Sequence, residues 1–302
     1  MLTADQALGM IETLDIAVFR VETHSTPGDR ASFLRVQNLA RSVLGRYVYL
    51  EVGSHLGGSL FPHLIDPACG AVLSFDPRPT ALPDERGEFI PYPENSTARM
   101  IAVLGEQLPA SAMTKLTTFD SDVSAVLPEA ASSKATLAFI DGVHTNQACF
   151  SDFVGVLKFM ETDCIVCFHD ANLIADAIIN AERLLDHLGI AHETVFLPDT
   201  VAVIGLGAHA STVRDRLHPH SLERAAYLEH SQRKLWSHIA KVHSPELRAE
   251  IDRLRSETSR LAEKVARMRA ERRLGARVSR IARRLFASLG KRADRIRRRL
   301  AR

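Results

Sequence analysis

The stretch Tyr47–Leu60, YVYLEVGSHLGGSL, limits what the chain can fold into more tightly than any other. Tyr47, Val48, Tyr49, Leu50 and Val52 make a nearly unbroken aromatic and aliphatic run, as in a parallel strand covered on both faces. Glu51 then sets a carboxylate at the strand's carboxyl edge. Gly53, Gly57 and Gly58 strip the next loop of side-chain bulk, so its backbone is expected to approach a ligand closely. Ser59 is placed to open a helix whose first amides face the same crevice. The spacing Glu-x-Gly-x-x-x-Gly differs from the Gly-x-Gly-x-x-Gly of dinucleotide binders, which argues against a nicotinamide or nucleotide-sugar enzyme.

A second apolar run, AVLSFDP at 71–77, also ends in an acid. In nucleoside-binding α/β folds an acid at the tip of the second strand accepts hydrogen bonds from ribose hydroxyls, and Asp76 is the candidate for that role. Helices are expected over 3–19 and 30–45, joined by a polar link, Thr23–Arg30, that contains Pro27 and Gly28. Later strands are expected at 115–122, 135–142 and 164–170, with helices over 97–108, 147–160 and 173–188. HETVFLP and VAVIGLG, joined at Asp199-Thr200, read as an antiparallel hairpin at the sheet edge. The alternation predicts an α/β fold: a doubly wound, mainly parallel, Rossmann-like seven-stranded sheet over 47–210 behind an N-terminal helical cap over 1–46.

Chemistry concentrates at the ends of the fourth and fifth strands. IDGVH places Asp141 and His144 at one, and FHDAN places His169, Asp170 and Asn172 at the other. Strand carboxyl ends are where open α/β sheets bind ligands. Two carboxylates on neighbouring strands, with imidazole and amide groups beside them, suit Mg²⁺ or another divalent ion. The alternative is that each Asp caps the helix that follows it.

The ordered set of ExGxxxG, Asp76, IDGxH and FHD resembles the class I S-adenosylmethionine (SAM)-dependent methyltransferases. More narrowly it resembles methyltransferase family 24, the group with the cephalosporin-biosynthesis and macrolide-sugar O-methyltransferases, over about residues 30–207. The resemblance implies a SAM site at Glu51, Gly53, Gly57, Gly58, Ser59 and Asp76, with Asp120 and Ser121 of the third strand facing the adenine. It also implies a divalent metal held by Asp141 and Asp170. Some relatives carry a second acid where this chain has Val143, and catechol-type relatives have Asn where it has Ala171. The third ligand is therefore open between His169 and Asn172. SAM brings an activated methyl, so the protein's task is alignment and removal of the acceptor's proton. His144, three residues after Asp141, is the expected base, and the alternative is a histidine that orients Asp141. The acceptor is expected to be a hydroxyl of a sugar, saccharide or other small metabolite.

The net charge of +2 conceals a split: residues 271–302 carry 13 Lys/Arg against 2 acids, leaving 25 bases and 34 acids elsewhere. Residues 211–244 read as a helical connector. From Leu247 a heptad runs through Ile251, Leu254, Thr258, Leu261, Val265 and Met268, predicting a coiled coil over 245–271 and a homodimer, with Glu250 meeting Arg255 of the other copy. Residues 272–302 read as a basic amphipathic helix suited to an anionic membrane surface. A second reading makes the chain a nucleic-acid binder that methylates RNA or acts as a scaffold. Phe286 is the tail's single aromatic, which argues against base stacking and so against nucleic acid as the partner. The acidic, Lys/Arg-free start is unlike a signal peptide, and Cys69, Cys149, Cys164 and Cys167 read as reduced and structural. Cys164 and Cys167 are expected on opposite faces of one strand, which suits neither zinc nor a redox pair. The expected location is the cytoplasm, with peripheral contact at the inner face of the membrane.

Overall fold

The structure, a computed structural model, describes residues 2–78, 82–243 and 245–270. Helix α1, Ala4–Glu12, starts on a capping box between Thr3 and Gln6. It does not run on to residue 19. Leu14 turns left-handed at φ +58, and the Asp15 carboxylate accepts the Ala17 amide to start a short 3₁₀ turn, Ile16–Val18. Helix α2, Pro27–Leu44, begins inside the expected polar link. Thr26 and Asp29 form a capping box and Pro27 takes the first position, where a missing amide hydrogen costs nothing.

The first sheet strands follow: β1 (Tyr47–Val52), helix α3 (Leu60–Ile65) and β2 (Cys69–Phe75). Helix α4 (Thr97–Gln107) is capped by Ser96, and α5 (Ala110–Met113) leads into β3 (Leu116–Phe119). Then come β4 (Ala135–Ile140), α6 (Asn146–Leu157), β5 (Met160–Phe168), α7 (Ala175–Leu188), β6 (His192–Phe196), β7 (Ala202–Leu206) and α8 (Ala210–Leu217). The helix expected through Met160 stops at Leu157, and Met160 already belongs to β5.

The seven strands form one sheet in the order β3-β2-β1-β4-β5-β7-β6. The pairs β1–β2, β1–β4, β2–β3 and β4–β5 are parallel, and β7 runs antiparallel to both β5 and β6. This is the expected Rossmann-like α/β fold, and the antiparallel hairpin lies at the sheet edge as expected. Within it β6 is outermost, because AVIGL is apolar throughout and is buried between neighbours, whereas His192, Glu193 and Thr194 are half-exposed.

Two cores form because the parallel strands alternate. Tyr47, Tyr49, Leu137, Phe139, Ile165 and Cys167 pack with α1 and α2 on one face, while Leu50, Val52, Ala138, Ile140, Cys164 and Phe168 pack with α6 and α7 on the other. Cys164 and Cys167 thus do lie on opposite faces, and all four cysteines are free and buried.

Helices α9 (Arg224–His243) and α10 (Pro245–Ala270) complete the described chain, which divides into two compact units between Trp236 and Ser237. Along α10, Ile251, Leu254 and Leu261 are half-exposed and Thr258 is exposed. Glu250 is engaged within its own helix by Arg253 at 2.7 Å. Glu271, at the end of the expected coiled coil, and the expected basic tail over 272–302 lie outside the described residues. Among the described residues no helix is long and apolar enough to cross a membrane.

Candidate active site

Each parallel strand hands its hydrogen-bond ladder on to the residue that follows it. The amide of Gly53 donates to Phe75 O (2.8 Å), Asp76 to Phe119 O (3.0 Å), Asp141 to Val52 O (2.9 Å) and His169 to Ile140 O (3.1 Å). The candidate residues at the carboxyl edge are therefore fixed in register by main-chain bonds.

The glycine turn is packed closely against the rest of the protein. Gly53 has φ +85 and Gly57 φ +82, conformations that favour glycine. A Cβ on Gly53 would lie 2.1 Å from the Asp141 carbonyl oxygen, one on Gly57 2.7 Å from Leu104 Cδ1, and one on Gly58 2.3 Å from Glu22 O. Their missing side chains are where β4, α4 and the N-terminal segment come against the turn. Ser59 stands at the N-cap of α3, as expected, but its hydroxyl caps no amide. Its hydroxyl donates instead to Glu51 Oε1 at 2.6 Å, and the Tyr49 hydroxyl donates to Oε2 at 2.6 Å. Glu51 is fully buried, and burial pushes its pKa up to about 8 against the pull of those two bonds.

Asp76 accepts the amide of His55 at 2.9 Å. Burial raises its pKa, an effect that Arg78 and two amides of the turn only partly offset. Arg78 was not singled out from the sequence. Its guanidinium is nearly buried, 3.4 Å from Asp76, and donates to His55 O, Ser54 Oγ and Asn95 Oδ1, tying the turn to the loop before α4. His55, at φ +43, lies in an aromatic group with His24 and Tyr92 at centroid distances of 4.8 to 5.3 Å. At the end of β3, Asp120 is exposed and accepts from the Thr97 hydroxyl, while Ser121 leans on Asp122 O.

Asp141, His144, His169 and Asp170 converge, with one donor atom from each lying within 4.8 Å of the others. His144 lies between two carboxylates, Nε2 3.2 Å from Asp141 Oδ1 and Nδ1 3.2 Å from Asp170 Oδ2. Asp170 has φ +49, which turns its carboxylate back toward the histidines, and its carbonyl is held by the Leu173 and Ile174 amides. His169 Nδ1 is 2.8 Å from Asp141 Oδ1. Burial opposes charge on Asp141, His144 and His169. It is outweighed for Asp141, which the two histidines hold down at about 2, and for His144 and His169, which their aspartates raise.

This donor set fits a divalent ion. Donor atoms of Asp141, Asp170, His144 and His169 all lie within 4.8 Å of one another, and Asn172 Oδ1 is buried with no hydrogen-bond partner. Two nitrogen donors suit Mn²⁺ or Zn²⁺ better than Mg²⁺, which prefers oxygen. The carboxylates do not act as the caps that the alternative required. Thr145 caps α6 and α7 has no side-chain cap.

Sequence reasoning also missed Asp29, 1% exposed, whose Oδ2 lies 3.4 Å from His169 Nε2. Its local signal, Thr26 followed three residues later by Asp29, marks a helix start and says nothing of a strand far along the chain.

Residues 50–171 match the family model described as a methyltransferase domain, methyltransferase family 24. No curated protein matches the chain by sequence. Among solved structures, the methyltransferase domain of bacterial CtHen1 is similar at 10% identity, covering 58% of this chain and 97% of that one, TM-score 0.42. N-methyltransferase NodS from Bradyrhizobium japonicum, in complex with S-adenosyl-L-homocysteine, is similar at 12% identity over 65% and 97%, TM-score 0.40. The ribosomal protein L11 methylase of Lactobacillus delbrueckii subsp. bulgaricus is similar at 10% identity over 62% and 80%, TM-score 0.38.

Proposed function

Residues 50–171 belong to the methyltransferase family 24 domain, and from that premise we propose that this SAM-dependent methyltransferase acts on a hydroxyl of a sugar, saccharide or other small metabolite. The observation that carries the reading is His144, held 3.2 Å from Asp141 and 3.2 Å from Asp170 beside the glycine turn. A hydroxyl acceptor must lose a proton as it attacks, and this histidine is a base placed next to the turn expected to hold the methyl donor.

In this reading Asp76 takes the ribose hydroxyls, and Gly53 brings the turn against Asp141. SAM supplies a methyl carbon on a sulfonium: the new O–C bond forms as C–S breaks, its electron pair leaving with the thioether. One ring nitrogen of His144 turns from its aspartate to take the acceptor's proton, and the aspartate at the other nitrogen stabilises the imidazolium so formed. Asp141, Asp170 and His169 are the residues that would hold a divalent ion, whose contribution would be to acidify a bound hydroxyl.

The test is methyl transfer from labelled SAM to pools of free sugars, lipid-linked saccharides and RNA, with His144→Ala in parallel. Label in a saccharide pool, reduced about 10²- to 10⁴-fold in the variant, supports the proposal. Label appearing only in RNA would overturn it.

A further inference from the structure

We propose that Asp29 is a positioning residue of this site: through Nε2 it orients His169, so that Nδ1 is the nitrogen offered to Asp141 and to a divalent ion. The inference rests on reading the Asp141–Asp170 cluster as the active site. It brings in α2, which precedes the matched residues 50–171.

The Asp29 carboxylate is held from every side. Oδ1 accepts the amide and the hydroxyl of Thr200, each at 2.9 Å, and Oδ2 accepts the amide of Thr26 at 3.1 Å. What remains of Oδ2 faces His169 Nε2 at 3.4 Å. Thr26 also donates its hydroxyl to Asp199 at 2.6 Å, and a Cβ on Gly28 would lie 2.1 Å from Asp199 Oδ2. The first turn of α2 is therefore clamped to the β6–β7 turn, and that clamp fixes where the carboxylate points.

A capping role explains the bond to Thr26 but not the rest. Burying a carboxylate is costly unless its charge and lone pairs are matched, and His169 is the cationic partner within reach. His169 has the complementary need. Its Nε2 is buried and makes no hydrogen bond, and the rings of Phe33 and Phe139 flank it at 5.4 and 6.1 Å, which leaves an apolar wall where water would otherwise serve. With no ion bound, Nδ1 donates to Asp141 at 2.8 Å and Nε2 faces the Asp29 carboxylate, so each nitrogen has an acid opposite it. An ion would displace the proton at Nδ1, and Asp29 keeps the one at Nε2.

Nitrogen NMR of histidine-labelled full-length protein tests this directly. In the wild type, His169 Nε2 is expected to carry a proton both without metal and with Zn²⁺ added. In Asp29→Asn the Nε2–H population is expected to fall, and Mn²⁺ affinity to drop about 10- to 100-fold. A wild-type His169 with a bare Nε2 overturns the proposal even if the variant fails to fold. A folded Asp29→Asn protein with an unchanged His169 spectrum overturns it too. Metal-free spectra involve no methyl transfer, so failure of the transferase reading would be seen separately.

Discussion

Gly53 and Asp141 meet backbone to backbone: a methyl group on Gly53 would sit 2.1 Å from the Asp141 carbonyl oxygen. The contact welds the turn after β1 to the carboxyl end of β4. Gly53→Ala must therefore strain a backbone at φ +85 and push the two segments apart. A loss of about 2–4 kcal/mol in stability is expected, read by denaturant unfolding. A variant as stable as wild type would mean that the contact relaxes freely.

Asp76 is the expected anchor for the ribose. Asp76→Ala should weaken SAM binding by about 1–3 kcal/mol in calorimetry, the cost of leaving polar partners unmatched. Undiminished affinity would remove Asp76 from the cofactor site.

Turnover is expected to depend on a divalent ion at Asp141 and Asp170. Chelation should abolish methyl transfer and Mn²⁺ restore it, while Asp141→Asn and Asp170→Asn should lose that restoration. Full activity in excess EDTA would leave the aspartates as partners of the His144 base alone.

Glu51 gives a pH signature in folding. Its pKa is 4.5 when unperturbed and is pushed up to about 8 in the fold, so between these values the folded protein holds a proton that the unfolded chain has lost. Stability from this group is complete below pH 4.5 and is lost as pH rises toward 8, with a slope of at most about 1.4 kcal/mol per unit. Glu51→Gln should lack that slope and gain on wild type as unfolding is measured from pH 5 to pH 8. Parallel curves would show Glu51 ionised throughout.

Residues 271–302, with 13 Lys/Arg against 2 acids, predict binding to anionic vesicles. The full chain should co-sediment with phosphatidylglycerol vesicles, a chain ending at Glu271 should not, and Ile281→Asp/Leu285→Asp should bind poorly. Equal sedimentation of the double variant would reduce the attraction to charge alone.

The sequence by itself determined the elements whose signal is local. The apolar run of β1, the Ser96 cap of α4 and the acids closing β1 and β2 are each set by neighbours a few residues apart. The alternation of strand and helix then fixed the Rossmann-like sheet, since an apolar strand buried on both faces has few other places to go. Even the opposite facing of Cys164 and Cys167 follows from the period of a strand.

What only the tertiary structure decided depends on residues far apart in the chain. Pro27 and Gly28 look like a linker until the Thr26–Asp29 box starts a helix there. Ser59 looks like a cap until Glu51, buried beside it, takes its hydroxyl. Asp141 and Asp170 could each have capped a helix. In the fold they flank His144 instead, at 3.2 Å on each side, with a left-handed turn at Asp170 that no local propensity demands. Asp29 carried only the mark of a helix start, because its partner His169 follows a strand that reaches it only when α2 packs across the sheet. A periodic pattern reports which face of an element is buried; it carries no information on which distant side chain will be waiting there.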